Sequence, residues 1–165
     1  KGLEDAAYVA NALGEKLNVW GFIQDESYAL KIEKLFSAEI LEWKGYLDTG
    51  KLQKELGTCR ALLNTPKWNE AYGNVVVEAL ACGVPVVAYK RGGPGEIIQH
   101  GKTGYLAKPD DKESLLNYLK IINKIDRKNC RKWVNSNASS NIFASKVVSW
   151  LNTVIKEYPS QNCPK

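Results

Sequence analysis

Two glutamates, Glu70 and Glu78, lie on either side of a Tyr-Gly pair, with seven residues between them. Pro66 is expected to end a strand, and Gly73 to begin a helix that stops at Gly83. Glu70 then lies in the loop before the helix, whereas Glu78 lies more than one turn inside it. The backbone N–H groups at the start of a helix favour an anion. The pattern therefore suits a ligand with a diphosphate in the middle and hydroxyl-rich sugars at either end.

The elements that must position these glutamates alternate between short apolar segments and amphipathic helices. Valines at 75–77 favour a strand, but the residues from 78 to 83 complete a helical pattern, and we assign this segment to a helix. The alternation predicts a parallel sheet covered on both faces. The predicted strands are 17–21, 39–43, 61–64, 84–88 and 105–107, and the predicted helices are 3–16, 27–37, 49–56, 73–83, a short one ending at 98, one capped by Asp110, 127–136 and 141–157.

The spacing of apolar residues predicts which face of each helix is buried. Gly57 is expected to stop the third helix, and Asp110 to cap a later helix together with Glu113. Cys59 and Cys82 are expected to be buried. The predicted inner faces consist of Leu30, Leu35 and Phe36 in the second helix, Leu115, Leu116, Leu119 and Ile122 in the helix after Asp110, and Phe143, Val147, Leu151 and Val154 in the last helix.

The composition narrows the classes of protein that fit. The 165 residues suit one domain, assigned to 1–158, with a frayed tail at 159–165. The net charge is +5, but Lys and Arg are scattered and form no basic run with aromatics, so we expect no nucleic-acid partner. The sequence contains no apolar run that would span a bilayer and no secretory leader. We expect a cytoplasmic protein, with contact to the inner face of a membrane left open.

The four cysteines point to a reducing compartment rather than to a metal site. None of them has the C-x-x-C spacing, and the chain has one His, which argues against zinc. Ligands of open parallel sheets bind at the carboxyl ends of the strands. Glu70 and the Gly92-Gly93 pair each follow a predicted strand directly, so both are expected on that edge.

The segments around the glutamate pair resemble a known family. The stretch from Glu70 to Ala81 resembles the E-x7-E motif of retaining GT-B glycosyltransferases of family 4. Three further segments are similar to the same group in the same order: GVPVVA at 83–88, GGPGEII at 92–98, which is close to sucrose-synthase-like members, and GKTGYL at 101–106. Four motifs in order are far more specific than an isolated E-x7-E.

This resemblance implies a Rossmann-like, doubly wound parallel sheet that forms the C-terminal half of a GT-B fold. In such enzymes this half binds the nucleotide-sugar donor, and the N-terminal half binds the acceptor. Lys1-Gly2 resembles the end of an Arg-x4-Lys-Gly element whose basic pair neutralises the donor diphosphate. We therefore expect the arginine, the first strand and the acceptor domain to lie before residue 1, and the fragment alone to be inactive.

The resemblance also implies a role for each residue. Glu78 is expected to bind both ribose hydroxyls, although an exposed helix glutamate is the other interpretation. Glu70 is expected to meet the transferred sugar and its developing positive charge. The other interpretation is a glutamate at a helix N-terminus that the helix dipole stabilises. The expected catalytic residues are Glu70 and Lys1, and the expected donor-binding residues are Glu78, Tyr72, Gly73, Asn74, Val75, Gly92 and Gly93.

Of the remaining residues, Tyr46 is a candidate contact for the nucleobase, or an ordinary half-buried tyrosine. No Asp-x-Asp motif is present, so no metal and no cofactor are expected, the donor itself being a substrate. The predicted function is transfer of a sugar from a nucleotide-diphosphate sugar to an unknown acceptor, with retention through front-face attack. A sugar-nucleotide epimerase of related two-domain shape and a non-catalytic nucleotide-sugar-binding module remain the alternatives.

Overall fold

The structure is a computed structural model, and it describes residues 2–158. Lys1 and the predicted tail at 159–165 lie outside the described residues. Strands and helices alternate as predicted. The strands are β1 (Leu17–Trp20), β2 (Leu41–Gly45), β3 (Leu62–Asn64), β4 (Val86–Tyr89) and β5 (Gly104–Ala107), and the helices are α1 (Leu3–Leu13), α2 (Glu26–Leu35), α3 (Thr49–Thr58), α4 (Asn74–Ala81), α5 (Pro94–Ile97), α6 (Lys112–Lys120), α7 (Arg127–Asn137) and α8 (Ser140–Glu157), with a 3₁₀ turn at Ile122–Lys124.

All pairing between these strands is parallel, which confirms the predicted fold class. Within residues 2–158 the strands form two hydrogen-bonded sheets, β1–β2 and β3–β4–β5, which we call the smaller and the larger ladder. No hydrogen-bonded pairing joins β1 to β3. Helix α1 connects the two ladders through its side chains. Val9 packs in the core of the larger ladder, and Ala7 packs with Ile32 and Leu41 in the core of the smaller one.

The contacts at the two ends of α1 show that the strands of both ladders run in the same direction. At its start, the Thr65 hydroxyl, just after β3, donates to the Gly2 carbonyl at 2.8 Å. Just beyond its end, Glu15 pairs with Arg60, which lies just before β3. Since β1 begins directly after Glu15, β1 and β3 start on the same side. The strands of both ladders therefore end on one side of the molecule, the carboxyl edge, where open parallel sheets bind ligands.

The main core is built around β4, the central strand of the larger ladder. All four of its residues, from Val86 to Tyr89, are buried, because α4 and α6 both pack against this strand. The inner residues of α4 are Val76, Ala79 and Leu80, and none of the three is exposed to solvent. The buried side of α4 is thus fixed by the core, and its other side faces solvent.

Two predicted inner faces are wrong. In α2, Leu30 and Leu35 are 55% and 60% exposed, because Ala29 and Ile32 form the side of the helix that packs in the smaller core. In α8 no residue is buried, and Phe143 is 67% exposed. The apolar spacing of α8 is helical as predicted, but within residues 2–158 the helix packs mainly on α7, which does not cover that stripe.

Three local predictions also need correction. Gly57 does not stop α3, which continues to Thr58. The N-cap of α6 is Asp111, which accepts a hydrogen bond from the Ser114 N–H at 2.9 Å, and not Asp110. Cys59 and Cys82 are only half-buried, while Cys130 is the buried thiol among the described residues. Because Asp111 caps α6, the Asp110 side chain is available for a different set of contacts.

Arg127, the first residue of α7, joins two chain segments on the side of the sheet opposite the carboxyl edge, the end of α3 and the turn before β4. Its guanidinium donates to the carbonyl oxygens of Gly83 at 2.7 Å, Cys59 at 3.0 Å and Gly57 at 2.7 Å. These carbonyls lie just before β3 and β4, so one side chain holds the starts of two neighbouring strands. Hydrogen bonds from a charged donor are stronger than neutral ones.

We predict that Arg127→Ala lowers the free energy of unfolding by about 1–3 kcal/mol, because three carbonyls lose a charged donor. Urea unfolding followed by circular dichroism measures the change. Lys128→Ala is the matched control, since its exposed side chain lies on the same turn and is expected to change stability by less than about 0.5 kcal/mol. Equal stability of the two variants would show that the three hydrogen bonds of Arg127 do not contribute to the free energy of unfolding.

Candidate functional site

Two loops at the carboxyl edge are joined through their backbones. Glu70 forms a parallel bridge with Gly92, and the Gly93 N–H donates to the Glu70 carbonyl at 2.8 Å. A β-carbon at Gly92 would lie 2.1 Å from the Glu70 carbonyl oxygen, and one at Gly93 would lie 2.0 Å from that of Tyr72. These distances exclude any side chain at the two positions, so glycine is what allows the loops to touch.

Gly73 completes this junction and begins α4. It adopts the left-handed conformation with φ 95°, and a β-carbon there would approach Cγ of Pro94 to 3.3 Å. Its carbonyl accepts the N–H groups of Val76 at 2.9 Å and Val77 at 3.4 Å. The helix itself supplies no acceptor for the N–H groups of Asn74 and Val75, as is general for a first turn. The start of α4 therefore presents donors and the positive end of the helix dipole at the carboxyl edge.

The two glutamates take different positions around this start. Glu70 is half-buried in the joined loops, and the Tyr72 side chain beside it is 51% exposed. Glu78 is exposed on α4, four residues after Asn74 and three after Val75, which puts all three on the face opposite the core. The structure thus brings Glu70, Tyr72 and Gly73 to Gly92 and Gly93, and it places Glu78 along the open face of the helix. Lys1 lies outside the described residues.

A second group of polar residues at the carboxyl edge was not predicted, and we call it the edge cluster: Asp5, Lys67, Tyr89, Arg91 and Asp110. The buried Asp5 carboxylate, in the first turn of α1, accepts the Tyr89 hydroxyl at 2.7 Å and the Lys67 ammonium. Lys67 also donates to Asp110 at 3.0 Å, and Arg91 pairs with Asp110. Two carboxylates and two cations therefore join α1 to the ends of β3, β4 and β5.

The electrostatics of the edge cluster favour its charged form. Hydrogen bonding from Lys67, together with the charges of Lys67 and Arg91, lowers the pKa of the Asp110 carboxyl. Burial opposes ionisation of Lys67, but its hydrogen bonds to Asp5 and Asp110 raise its pKa above the ordinary value. Burial and the hydrogen bond to Asp5 raise the pKa of Tyr89, so it stays a protonated donor.

One sequence signal could have located part of this cluster. Lys67, Arg91 and Asp110 each follow a predicted strand by three residues, which places them at the same edge of the sheet as Glu70. The left-handed backbone of Asp110, with φ 64°, explains why it does not cap α6 and turns instead toward Lys67 and Arg91. Asp5 gave no such signal, because it lies in the first turn of an amphipathic helix.

Between residues 2 and 158, no group of three or more His, Cys, Asp or Glu side chains is placed to hold a metal ion. Across the same residues, no helix has both the length and the apolar character needed to cross a bilayer.

Comparison with known proteins gives the family of the chain. Residues 16–139 match the family described as glycosyl transferases group 1. The chain belongs to this family. Its matched range includes both joined loops and all of α4, and it confirms the predicted resemblance.

Relatives in this family differ in substrate. A sucrose synthase of Solanum tuberosum is 43% identical over 60 residues, which is 36% of this chain and 8% of that protein. A sulfoquinovosyl transferase of Arabidopsis thaliana is 36% identical over 104 residues, which is 61% of this chain and 20% of that protein. The chain thus spans a fifth or less of the length of these relatives.

Solved structures confirm the fold. HepE of Anabaena, in complex with UDP, superposes with a TM-score of 0.79 at 19% identity, over 93% of this chain and 45% of that one. Sucrose-phosphate synthase of Thermosynechococcus elongatus superposes with a TM-score of 0.79 at 22% identity, over 95% of this chain and 43% of that one. Both are GT-B glycosyltransferases, and the chain has the Rossmann-like fold of such domains.

We predict that Gly93→Ala lowers the free energy of unfolding by about 1–3 kcal/mol, because a β-carbon 2.0 Å from the Tyr72 carbonyl forces the joined loops apart. Urea unfolding measures the loss. Gly57→Ala is the matched control: it has open space around it inside α3 and is expected to be neutral or to stabilise by about 0.5–1 kcal/mol. A Gly93→Ala protein as stable as the parent would contradict the close approach.

A second prediction concerns pH. Because the pKa of Asp110 lies below its ordinary value of 3.8 when folded, its stabilisation is complete above that value and disappears as the pH falls through the folded pKa. Asp110→Asn keeps the left-handed backbone that asparagine tolerates. We expect its melting temperature to lie below that of the parent at pH 7 and to converge with it in strong acid.

Thermal melts from pH 7 down to about pH 2, below the ordinary range of carboxyl pKa values, measure this convergence. Glu33→Gln, in the exposed face of α2, is the control and should show no comparable pH-dependent gap. A gap between Asp110→Asn and the parent that stays constant with pH would mean that the charge of Asp110 does not contribute.

Proposed function

We propose that the chain is the donor-binding domain of a glycosyltransferase that transfers a sugar from a nucleotide-diphosphate sugar to an acceptor, with retention. The observation that carries this proposal is the open start of α4 beside the joined loops, with a glutamate on each side. Membership of the family supports transfer from a nucleotide sugar. The HepE structures contain UDP or UDP-glucose, which supports a donor of this chemical class.

In this proposal the donor diphosphate lies at the start of α4. The N–H groups of Asn74 and Val75 donate to its oxygens, and Gly73 leaves room for the close approach that these bonds need. Glu78, one turn further along the same open face, accepts the two vicinal hydroxyls of the ribose. A diol that donates to both oxygens of one carboxylate makes two charge-assisted hydrogen bonds.

At the other end of the donor, Glu70 contacts the transferred sugar. Its carboxylate accepts sugar hydroxyls and stabilises the positive charge that develops as the sugar leaves. Gly92 and Gly93 hold the Glu70 backbone, so this contact is fixed by main-chain bonds and not by a flexible loop. The Tyr72 side chain, half exposed beside Glu70, provides an aromatic surface that contacts the same end of the ligand.

Cleavage of the sugar–phosphate bond builds negative charge on the departing diphosphate. The dipoles at the start of α4 and the cation of Lys1 stabilise that charge, and preorganised donors of this kind give a large part of catalysis. The acceptor hydroxyl attacks from the face that the diphosphate leaves, so the configuration is retained, and its proton passes to an oxygen of the departing diphosphate. We expect the reaction to need no metal ion and to require an acceptor-binding domain in the same protein.

The decisive variant is Glu78→Ala. We predict that it weakens UDP, GDP and ADP binding by about 10- to 100-fold, because two charge-assisted hydrogen bonds are lost. Isothermal titration calorimetry on the full-length protein measures the affinities, and Glu33→Ala is the control for loss of an exposed helix glutamate. Unchanged affinities for all three nucleotides would show that Glu78 does not bind the ribose.

Turnover separates the proposal from its alternatives. The full-length protein, given a nucleotide sugar and a panel of acceptors, should release the nucleotide diphosphate and form a product whose anomeric configuration by NMR matches the donor. An epimerised free sugar or sugar nucleotide would indicate the epimerase, and binding without any chemistry would indicate a non-catalytic module.

A further inference from the structure

Four exposed lysines outside the candidate site recur at every fourth position, and we call them the basic patch. They follow one another from the end of α6 through the 3₁₀ turn and along α7: Lys120, Lys124, Lys128 and Lys132. Within residues 2–158 none of the four has an ion-pair partner, whereas the cations of the edge cluster are paired. Ion pairing in the described part of the chain therefore does not account for these charges.

The contacts of two arginines place the basic patch on the side of the sheet opposite the carboxyl edge. Arg60, just before β3, donates to the Leu119 carbonyl at 2.7 Å and to the Asn123 side-chain oxygen at 3.1 Å. These bonds hold the end of α6 and the 3₁₀ turn beside the start of β3. Arg127 holds the start of α7 beside the starts of β3 and β4. The patch therefore lies where the strands start, whereas α4 begins where they end.

The two lysines of α7 extend into solvent because the core fixes the rotation of this helix. Cys130 and Val134 are its buried residues. Lys128 and Lys132 each lie two residues before one of them, and a step of two residues turns a helix by about 200°. Both lysines are therefore on the outer side of α7, one turn apart.

The charges of α7 oppose the dipole of the helix. Its first two turns contain four cations, and its N-cap, Asp126, is the one acid between residues 120 and 132. Cations are unfavourable near the positive N-terminal end of a helix. Arg127 gains carbonyl acceptors there, and the Arg131 side chain lies against Gly83. The lysines of α7 have no comparable contact within residues 2–158, and a local preference that is broken without compensation is expected at a functional surface.

The composition of the patch favours a diffuse anionic surface as its partner. Lysine carries a compact charge on a flexible stem, whereas a single phosphate or carboxylate is held better by the fork of an arginine. The outer side of α7 is polar and cannot form the apolar centre of a protein interface. Trp133, the aromatic residue of α7, packs against the main core and leaves no ring on the outer side for a base to stack on. Anionic lipid headgroups need neither feature, because they attract each nearby lysine separately.

We propose that the basic patch docks the protein on a membrane surface that contains anionic lipids. The inference goes beyond the proposed function, because it assigns a partner to the side of the domain that the donor site does not use. A protein docked through the starts of its strands turns the carboxyl edge toward water, so the nucleotide donor enters from solution. Each lysine near an anionic bilayer strengthens binding about fivefold, so four lysines together give a reversible attachment.

Co-sedimentation of the full-length protein with vesicles tests the docking. The probes are phosphatidylcholine vesicles with and without about 30% phosphatidylserine, at about 0.1 M and about 0.5 M salt. We expect binding to increase with phosphatidylserine and to weaken at the higher salt, because counterions screen the attraction between exposed charges. A parent protein that binds both kinds of vesicle equally, or neither of them, would overturn the proposal.

Two double variants remove the same charge from opposite sides of the domain. Lys128→Gln with Lys132→Gln is expected to weaken binding to the phosphatidylserine vesicles by about 25-fold, at about fivefold for each lysine. Lys108→Gln with Lys112→Gln is the matched control, because both residues are exposed, four positions apart, and follow β5 at the carboxyl edge. Charges further from the bilayer than about 10 Å are screened, so the control should change binding by less than about twofold.

Equal losses in the two double variants would overturn the patch and would show that net charge alone attracts the membrane. Thermal melts followed by circular dichroism show whether each variant is folded. Removal of two cations from the start of α7 should leave the melting temperature unchanged or raise it, because the helix dipole disfavours them there.

Acetylation of lysines in the full-length protein, measured by mass spectrometry, locates the contact without any substitution. Vesicles that contain phosphatidylserine should slow the modification of all four lysines of the basic patch and leave Lys108 and Lys112 as reactive as in solution. Protection of Lys108 and Lys112 while the patch stays reactive would overturn the proposed orientation. Protection of the patch by duplex DNA and not by vesicles would overturn the membrane as the partner and would indicate a nucleic acid.

Discussion

Close contact between two main-chain segments is the constraint on which the candidate site depends. The segment from Glu70 to Tyr72 and the Gly92-Gly93 pair touch without any intervening side chain, and the distances leave no room for a β-carbon. This contact joins the loop after β3 to the loop after β4 and sets the point where α4 begins. The direction of the helix dipole, the exposure of the first N–H groups and the place of Glu70 all follow from it. A site built this way is rigid because its geometry comes from backbone hydrogen bonds.

The edge cluster supports the same region by electrostatic means. Asp5 and Asp110 balance Lys67 and Arg91, and the four charges join α1 to three strand ends. Breaking a partly buried set of this kind leaves a charge without its partner, which costs more than an intact pair gains. Tyr89, buried in the centre of the sheet, fixes the cluster to the main core through its hydroxyl. The first turn of α1 is thereby held beside the loop that leads to Glu70.

Sequence could predict the arrangement of the candidate-site residues where local rules decide it, and it failed where distant contacts decide it. Glycines at 73, 92 and 93 and the glutamates at 70 and 78 carry strong local patterns, so the order of loops and helices around them was foreseeable. The hydrogen bond between Tyr89 and Asp5 joins residues 84 positions apart, and no periodicity signals it. Leu30, Leu35 and Phe143 have the spacing of buried residues, but burial depends on what packs against a helix, which spacing does not reveal. Asp110 was predicted as the cap of α6 in place of Asp111, because two adjacent aspartates precede the helix and only tertiary contacts choose between them.

The division of the sheet into two ladders has a mechanical consequence. Among the described residues no main-chain hydrogen bond runs directly from β1 to β3, so α1 and its end contacts connect one half to the other. Each half can therefore open by itself more easily than a continuous sheet would allow, since a seam made of side chains resists shear less than a hydrogen-bonded ladder. A molecule that contacts both halves would cross-link them and make the domain stiffer than α1 and the strands make it alone.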